Sequence, residues 1–213
     1  MRALFAALIA LTAMASPAVA DGKAGDFDFY VVSLSWSPSY CASNGARAAP
    51  EQCDAVKPFA FILHGLWPQY ERGYPDNCRT DFSLRIPRSV ADGMNDLMPS
   101  DDLVFHEWRK HGTCSGDDPQ TYFAKARRAM NIIRIPPAFA SPDHARTATP
   151  VEIERAFISS NIGLPANGIA VTCRSGALDE VRICMTRDLR FRGCPEVDRS
   201  GCRADRIAVP AAN

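Results

Sequence analysis

Eight cysteines, Cys41, Cys53, Cys78, Cys114, Cys173, Cys184, Cys194 and Cys202, limit what this chain can fold into more than any other feature. They follow an opening stretch, MRALFAALIALTAMASPAVA, in which Arg2 precedes an apolar run over residues 3–14 and Ala18-Val19-Ala20 ends it with small residues. That order is the pattern of a secretory signal peptide cut after Ala20. The run is too short to span a bilayer. Residues 1–20 are therefore expected to be removed, leaving residues 21–213 as a single domain with no membrane segment. An even number of cysteines in an exported chain reads as a set of disulfides. Eight cysteines allow on the order of a hundred pairings, so spacing alone leaves the connectivity open. No CxxC occurs, which argues against a zinc ribbon and against a thioredoxin-like redox site.

Charge narrows the partners. Lys plus Arg and Asp plus Glu both number 24. A chain so balanced does not hold nucleic acid by bulk charge, so contact with a polyanion has to come through a local basic cleft.

The coarse pattern is mixed. DFDFYVVSLSW, residues 26–36, is rich in β-branched and aromatic residues and reads as a strand. Residues 37–57 read as a loop, and FAFILHGLW, residues 59–67, as a buried strand that breaks at Gly65, leaving His64 at a strand end. Residues 68–87 read as a second loop. Helical spacing is weak over 88–98 and fits 103–112 and 119–133, the last opened by Asp118-Pro119 as cap and first turn. Thr149-Pro150-Val151-Glu152 is a capping box that starts a helix reaching about residue 160. GIAVTC and LDEVRICM, at 168–173 and 178–185, form a strand pair around a Ser-Gly turn, and the tail after 203 is expected to be loosely held.

The stretch FHEWRKHGTC, residues 105–114, carries the chemistry. A zinc site of the HExxH type needs two histidines four apart on one helix face. His106 and His111 are five apart, which at about 100° per residue sets them roughly 140° apart. One metal ion would be hard for both to reach. On the same wheel Glu107, Lys110, His106 and His111 share one arc, while Trp108 and Arg109 fall opposite, so the tryptophan can face the core. A carboxylate, an ammonium and two imidazoles on one arc suit acid–base chemistry near neutral pH, with charge to hold a developing anion. A further histidine stands in His64-Gly65-Leu66-Trp67-Pro68. Taken alone, this motif fits a strand-capping histidine with Trp67-Pro68 as packing. Taken with the other, it supplies an acid and a base for opposite sides of a phosphate, beside an aromatic ring. His144, in SPDHARTATP, has no partner motif and reads as surface.

HGLWP and HEWRKHGTC resemble the two active-site segments of the ribonuclease T2 family. The opening strand running into Trp36-Ser37-Pro38-Ser39-Tyr40-Cys41, and LDEVRIC at 178–184, are similar to further family segments. The resemblance implies an α+β fold with a central, mainly antiparallel sheet and flanking helices. It implies a secreted or periplasmic endoribonuclease that cuts single-stranded RNA by metal-independent transphosphorylation, with no cofactor. Carried over residue by residue, His111 is the general base, His64 the general acid, Glu107 and Lys110 the phosphorane-stabilising pair and His106 a phosphate-binding histidine. Products would be 2′,3′-cyclic phosphates and then 3′-phosphates, and DNA would not be cut. Trp67 matches the family's stacking tryptophan, and Tyr74 is a candidate second aromatic wall. Gln69 departs from the Asp that some members carry, which leaves the base preference open. The family pattern also implies Cys78–Cys114, Cys173–Cys202 and Cys184–Cys194, with Cys41–Cys53 remaining. A monomer is expected. Two other classes stay open: a secreted RNA-binding protein of this fold that has lost catalysis, and a metal-dependent phosphodiesterase.

Overall fold

A run of apolar and small residues, FYVVSLSW, forms the middle of the protein because both of its faces are covered and every one of its residues is buried. In the computed structural model, which describes residues 21–212 apart from 55 and 57, the elements follow in the order β1 (Asp21–Lys23), β2 (Phe29–Trp36), α1 (Ser37–Asn44), β3 (Phe61–Gln69), β4 (Asp76–Arg79), α2 (Arg88–Asp92), α3 (Asp101–Lys110), α4 (Pro119–Ile132), α5 (Pro137–Ala140), β5 (Arg146–Ala148), α6 (Pro150–Ser160), β6 (Ile169–Arg174), β7 (Ala177–Met185), α7 (Pro195–Arg199) and β8 (Ile207–Val209). The leader read as a signal peptide lies outside the described residues. Among the described residues no helix is long and apolar enough to cross a membrane.

The main sheet has the order β3-β2-β7-β8-β5, with β6 also paired to β7. β2 runs antiparallel to both β3 and β7, and β6 to β7, so the sheet is mainly antiparallel as the sequence suggests. Ser175 and Gly176 both take positive φ, which gives the tight turn that joins β6 to β7. The helices start where the caps say. The Asp118 side chain accepts the Thr121 N–H at 3.0 Å. Thr149 Oγ1 accepts from Glu152 N at 3.0 Å while Glu152 accepts from Thr149 N at 2.6 Å. Behind those caps Tyr122, Ala126 and Ala129 of α4, and Ile153 and Phe157 of α6, recur at helical spacing and are buried on the sheet.

Four readings need correction. Residues 37–44 are helix and not loop: Pro38 sits in the first turn, where its missing N–H costs nothing, and Cys41 is bonded to Cys53. The second loop contains a short strand, β4, paired parallel to β1. The helix at 88 stops at Asp92, because the following turns deliver the Leu97 carbonyl to the Leu63 N–H on the free edge of β3 at 2.9 Å. The tail is held, not loose: β8 pairs with β5, Ile207 and Val209 are each 1% exposed, and the Trp36 Nε1–H donates to the Pro210 carbonyl at 3.2 Å. Pairing across the sheet supplied an order that the small polar residues of the tail do not encode.

The disulfides join Cys41 to Cys53, Cys78 to Cys114, Cys173 to Cys202 and Cys184 to Cys194. The second links β4 to the turn that follows α3, across 36 residues of chain. A loop of that length corresponds to about 3–4 kcal/mol of denatured-state entropy. Replacing Cys78 and Cys114 together by alanine should lower stability by about that amount in chemical denaturation. Unchanged stability would show that the bridge does not constrain the unfolded chain.

Candidate active site

His64 owes its position to an irregularity in β3. Ser33 of β2 stands opposite Gly65, and its neighbour Leu34 stands opposite Leu63, so His64 is the extra residue of a β-bulge. Strict alternation would send His64 and Trp67, three apart, to opposite faces. The bulge brings both to the same cleft. This corrects the sequence reading: β3 continues to Gln69, and Gly65 does not end it. Gly65 is needed for space instead. A Cβ there would lie 2.0 Å from Glu107 Oε2 and 2.3 Å from Trp67 Nε1.

Helix α3 supplies the facing wall. Asp101 and Asp102 in its first turn and Arg109 and Lys110 in its last match the helix dipole. Val104 and Trp108 are fully buried, and the Trp108 Nε1–H donates to the Ser83 carbonyl at 3.0 Å. With that face fixed inward, Glu107, Lys110 and His106 turn to the cleft, and His111 follows at the C-cap. The cleft, of about 410 Å³, is lined by all seven residues singled out from the sequence: His64, Trp67, Tyr74, His106, Glu107, Lys110 and His111.

Their contacts are specific. The Trp67 Nε1–H donates to Glu107 Oε2 at 2.7 Å. Among the described residues Glu107 Oε1 has no hydrogen-bond partner, and it lies 3.7 Å from His64 Nε2. The His111 ring stacks on Trp67 with centroids 5.1 Å apart, and its Nδ1 is buried without a partner among the described residues. The exposed Tyr74 lies beyond, its ring 6.5 Å from His111. Arg182 holds its guanidinium 5.3 Å from the centre of the Trp67 ring. His106 is exposed at the cleft edge, and Gln69 donates from Nε2 to the Pro68 carbonyl at 3.1 Å. His144 lies on the surface beside Asp143.

Among the lining residues that sequence reasoning missed are Glu180 and Arg182 of β7. His64 Nδ1 donates to Glu180 Oε1, and Arg182 donates from Nε and Nη2 to Glu180 Oε2 at 2.9 and 2.7 Å. The available signal was a set of charges, Asp179, Glu180 and Arg182, in a mostly buried strand, with Glu180 and Arg182 at alternate positions of LDEVRIC.

These surroundings drive the titrating groups apart. Burial pushes the Glu107 carboxyl up to about 7, against the opposing pull of His64, Trp67 and Lys110. Burial also pushes His111 down to about 3, helped by the positive charges of Lys110, His64 and His106. For His64, burial opposes protonation, but the hydrogen bond to Glu180 and the charges of Glu107 and Glu180 outweigh it, and its pKa is raised. Burial and the neighbouring Lys110 lower that of His106. Among the described residues no cluster of three or more His, Cys, Asp or Glu side chains is arranged to hold a metal ion.

A model of the Ribonuclease T2 family matches residues 27–194. The chain is 47% identical over 97 residues to a ribonuclease of Aeromonas hydrophila, a match spanning 46% of this chain and 42% of that protein. It is 32% identical over 212 residues to Ribonuclease DdI of Dictyostelium discoideum, covering 92% of this chain and 91% of that one. Among solved structures, RNase NT in complex with 5′-AMP shares the fold with a TM-score of 0.66 at 27% identity, over 87% of this chain and 99% of that chain. An α+β fold with these relatives is that of an RNA-cleaving enzyme. The chain belongs to the ribonuclease T2 family.

Glu107 allows a direct test of this electrostatic picture. A carboxyl whose folded value is raised from 4.5 to about 7 favours the fold when protonated and weighs against it once ionised. Glu107→Gln, which keeps an acceptor for Trp67, should raise the melting temperature above pH 7 and lose that advantage as pH falls towards 4.5. A pH-independent change would mean that Glu107 does not titrate in this range.

Proposed function

We propose that the protein is an endoribonuclease that cuts single-stranded RNA by transphosphorylation, with His111 as general base and His64 as general acid. The observation that carries this reading is the opposite bias of two histidines in one cleft. His111 is driven down to about 3 and so is neutral through the weakly acid range, as a base must be. His64 is raised above the ordinary imidazole value of 6.5 and so is protonated there, as an acid must be. Environments that separate two like groups in this way assign them different work.

His111 takes the proton of the ribose 2′-hydroxyl; with Nδ1 buried, Nε2 is the nitrogen able to meet it. The 2′-oxygen forms a bond to phosphorus, and the bond from phosphorus to the 5′-oxygen breaks as His64 protonates that oxygen. The products are a 2′,3′-cyclic phosphate and a free 5′-hydroxyl. Water then opens the cyclic ester, more slowly, to a 3′-phosphate with the histidine roles reversed. Glu107 Oε1, lacking a partner, is free to donate a hydrogen bond to the phosphorane when protonated, and Lys110 supplies positive charge beside it. His106 binds a phosphate oxygen at the cleft edge. Trp67 and Tyr74 are the aromatic surfaces offered to bases. Four disulfides suit an oxidising compartment, which favours a periplasmic or secreted enzyme. We read it as acting as a monomer.

Purified mature protein should digest single-stranded RNA in the presence of EDTA and leave 2′,3′-cyclic phosphate ends by mass spectrometry, while the same sequence as DNA stays intact. A folded sample that binds RNA without cutting it would point to a binding protein of this fold, and activity lost to EDTA would point to a metal-dependent phosphodiesterase. His64→Phe should cost ~10²–10⁴-fold in kcat with the circular dichroism spectrum unchanged. The profile of kcat/KM should rise as pH passes the His111 value of about 3 and fall as Glu107, at about 7, and His64 lose their protons. An acid limb at the ordinary imidazole value would show that His111 is not driven down, and the opposite bias of the two histidines would fall.

A further inference from the structure

We propose that Glu180, clamped by Arg182, is the positioning residue of the general acid, holding His64 in one tautomer with Nε2 directed into the cleft. The inference rests on the reading of His64 as the acid. Three strands make the contact. Glu180 lies opposite Ser35 and Arg182 opposite Ser33 in the β7–β2 pair, and Ser33 lies opposite Gly65 next to the bulge in the β2–β3 pair. Residues directly opposite in a ladder share a face. On this face the central strand therefore carries two serines between β3 and β7. Neighbouring strands are about 4.8 Å apart, so His64 and Glu180 have to meet across roughly 10 Å of sheet. Only small side chains on β2 leave room for an imidazole and a carboxylate to close that distance, and the bulge aims the imidazole along it.

The pair is built to stay charged on one side. Glu180 is 5% exposed, yet its carboxyl is held down at about 2: burial opposes ionisation, and the hydrogen bond and charge of His64 with the Arg182 guanidinium outweigh it. Its other oxygen is taken by Arg182, so Oε1 has one orientation available. A carboxylate that never protonates in the working range requires the proton on His64 Nδ1. Nε2 is left facing Glu107 Oε1 and the cleft. When Nε2 gives up its proton to the leaving oxygen, the neutral ring is already the tautomer that can take a proton back there, which the hydrolysis step needs. The groups facing His64 are Asp179, Glu180 and Arg182 from β7, Glu107, His106 and Lys110 from α3, and His111 at its end. Of these, Glu180 alone is bonded to its ring.

Two substrates with the same nucleoside and different leaving groups separate the possibilities. A dinucleoside monophosphate needs its departing 5′-oxygen protonated; a nucleoside 3′-(4-nitrophenyl phosphate) releases a stable phenolate and does not. In Glu180→Gln, kcat for the dinucleotide should fall about 10- to 100-fold with KM unchanged, the range seen when the hydrogen-bond partner of a metal-ligating histidine is removed. Turnover of the nitrophenyl ester should stay near wild type. The basic limb of kcat/KM should move to lower pH, and the His64 ring should titrate lower by NMR, because a raising influence has been lost and burial remains. Glu180→Asp, which keeps the charge, should recover part of the loss. If Glu180→Gln does not fold, Glu180→Asp carries the same comparison through its shorter reach. Equal loss on both substrates, or an unmoved His64 titration, would overturn the inference and leave Glu180 as packing. His64→Phe serves as the reference. If it loses both substrates alike, the acid role of His64 itself falls, a result independent of how Glu180→Gln behaves.

Discussion

The carboxylate of Glu107 lies against the backbone of Gly65, and the site depends on that contact. No side chain fits between them: a Cβ on Gly65 would stand 2.0 Å from the carboxylate oxygen. Helix α3 can therefore sit close on the edge strand β3. That closeness lets the Trp67 indole reach Glu107, sets the Trp67 ring beside His111, and brings Nε2 of His64 within 3.7 Å of the same carboxylate. Each motif alone is half a site. Gly65 joins them, and the Cys78–Cys114 bridge ties down the end of the helix just beyond His111. Gly112 acts in the same way on the other side, because a Cβ there would lie 2.4 Å from the Trp108 ring that anchors α3 in the core.

The close approach excludes water, and this separates the two histidines chemically. His111 is pressed between an aromatic ring and cationic neighbours and gives up its charge. His64 is only half-buried and has carboxylates at both ring nitrogens, and it keeps its charge. Neither environment is cheap. Buried polar atoms without partners, as at Glu107 Oε1 and His111 Nδ1, cost about 1–3 kcal/mol each. The fold carries that cost on a framework stiffened by four disulfides and by a central strand buried on both faces. Of the two atoms, Glu107 Oε1 is the one that faces His64 Nε2 and the cleft, where the proposed phosphorane would form.

Much of the fold was legible where local chemistry decides it. The capping box at Thr149 and the Asp118-Pro119 start mark helices whose observed ends agree, because caps act within one turn. The Ser-Gly turn places β6 and β7 for the same reason. Legibility failed where distant chain decides. Nothing in SPSYCASN has strong helical spacing, and the bond from Cys41 to Cys53 and the packing of buried Gln52 on Ser37 help hold it as helix. The tail reads as polar and short, yet pairing with β5 and the indole of Trp36, far away in sequence, hold it.

The site divides along the same line. FHEWRKHGTC and HGLWP are contiguous, so helix geometry and residue type expose their chemistry directly. The bulge at His64 has no such signature, since it comes from how β3 pairs with β2, and Gly65 looked like a break when it was a clearance. Glu180 and Arg182 were hidden for a related reason. Their meaning depends on Ser33 and Ser35, which look like ordinary small residues in an apolar strand. A buried central strand with Ser33 and Ser35 on one face leaves room there for a contact between its neighbours. Two charges at alternate positions of a partner strand are the groups able to use it. Read together, serines on one strand and charges on another imply a contact across the sheet that neither segment reveals alone.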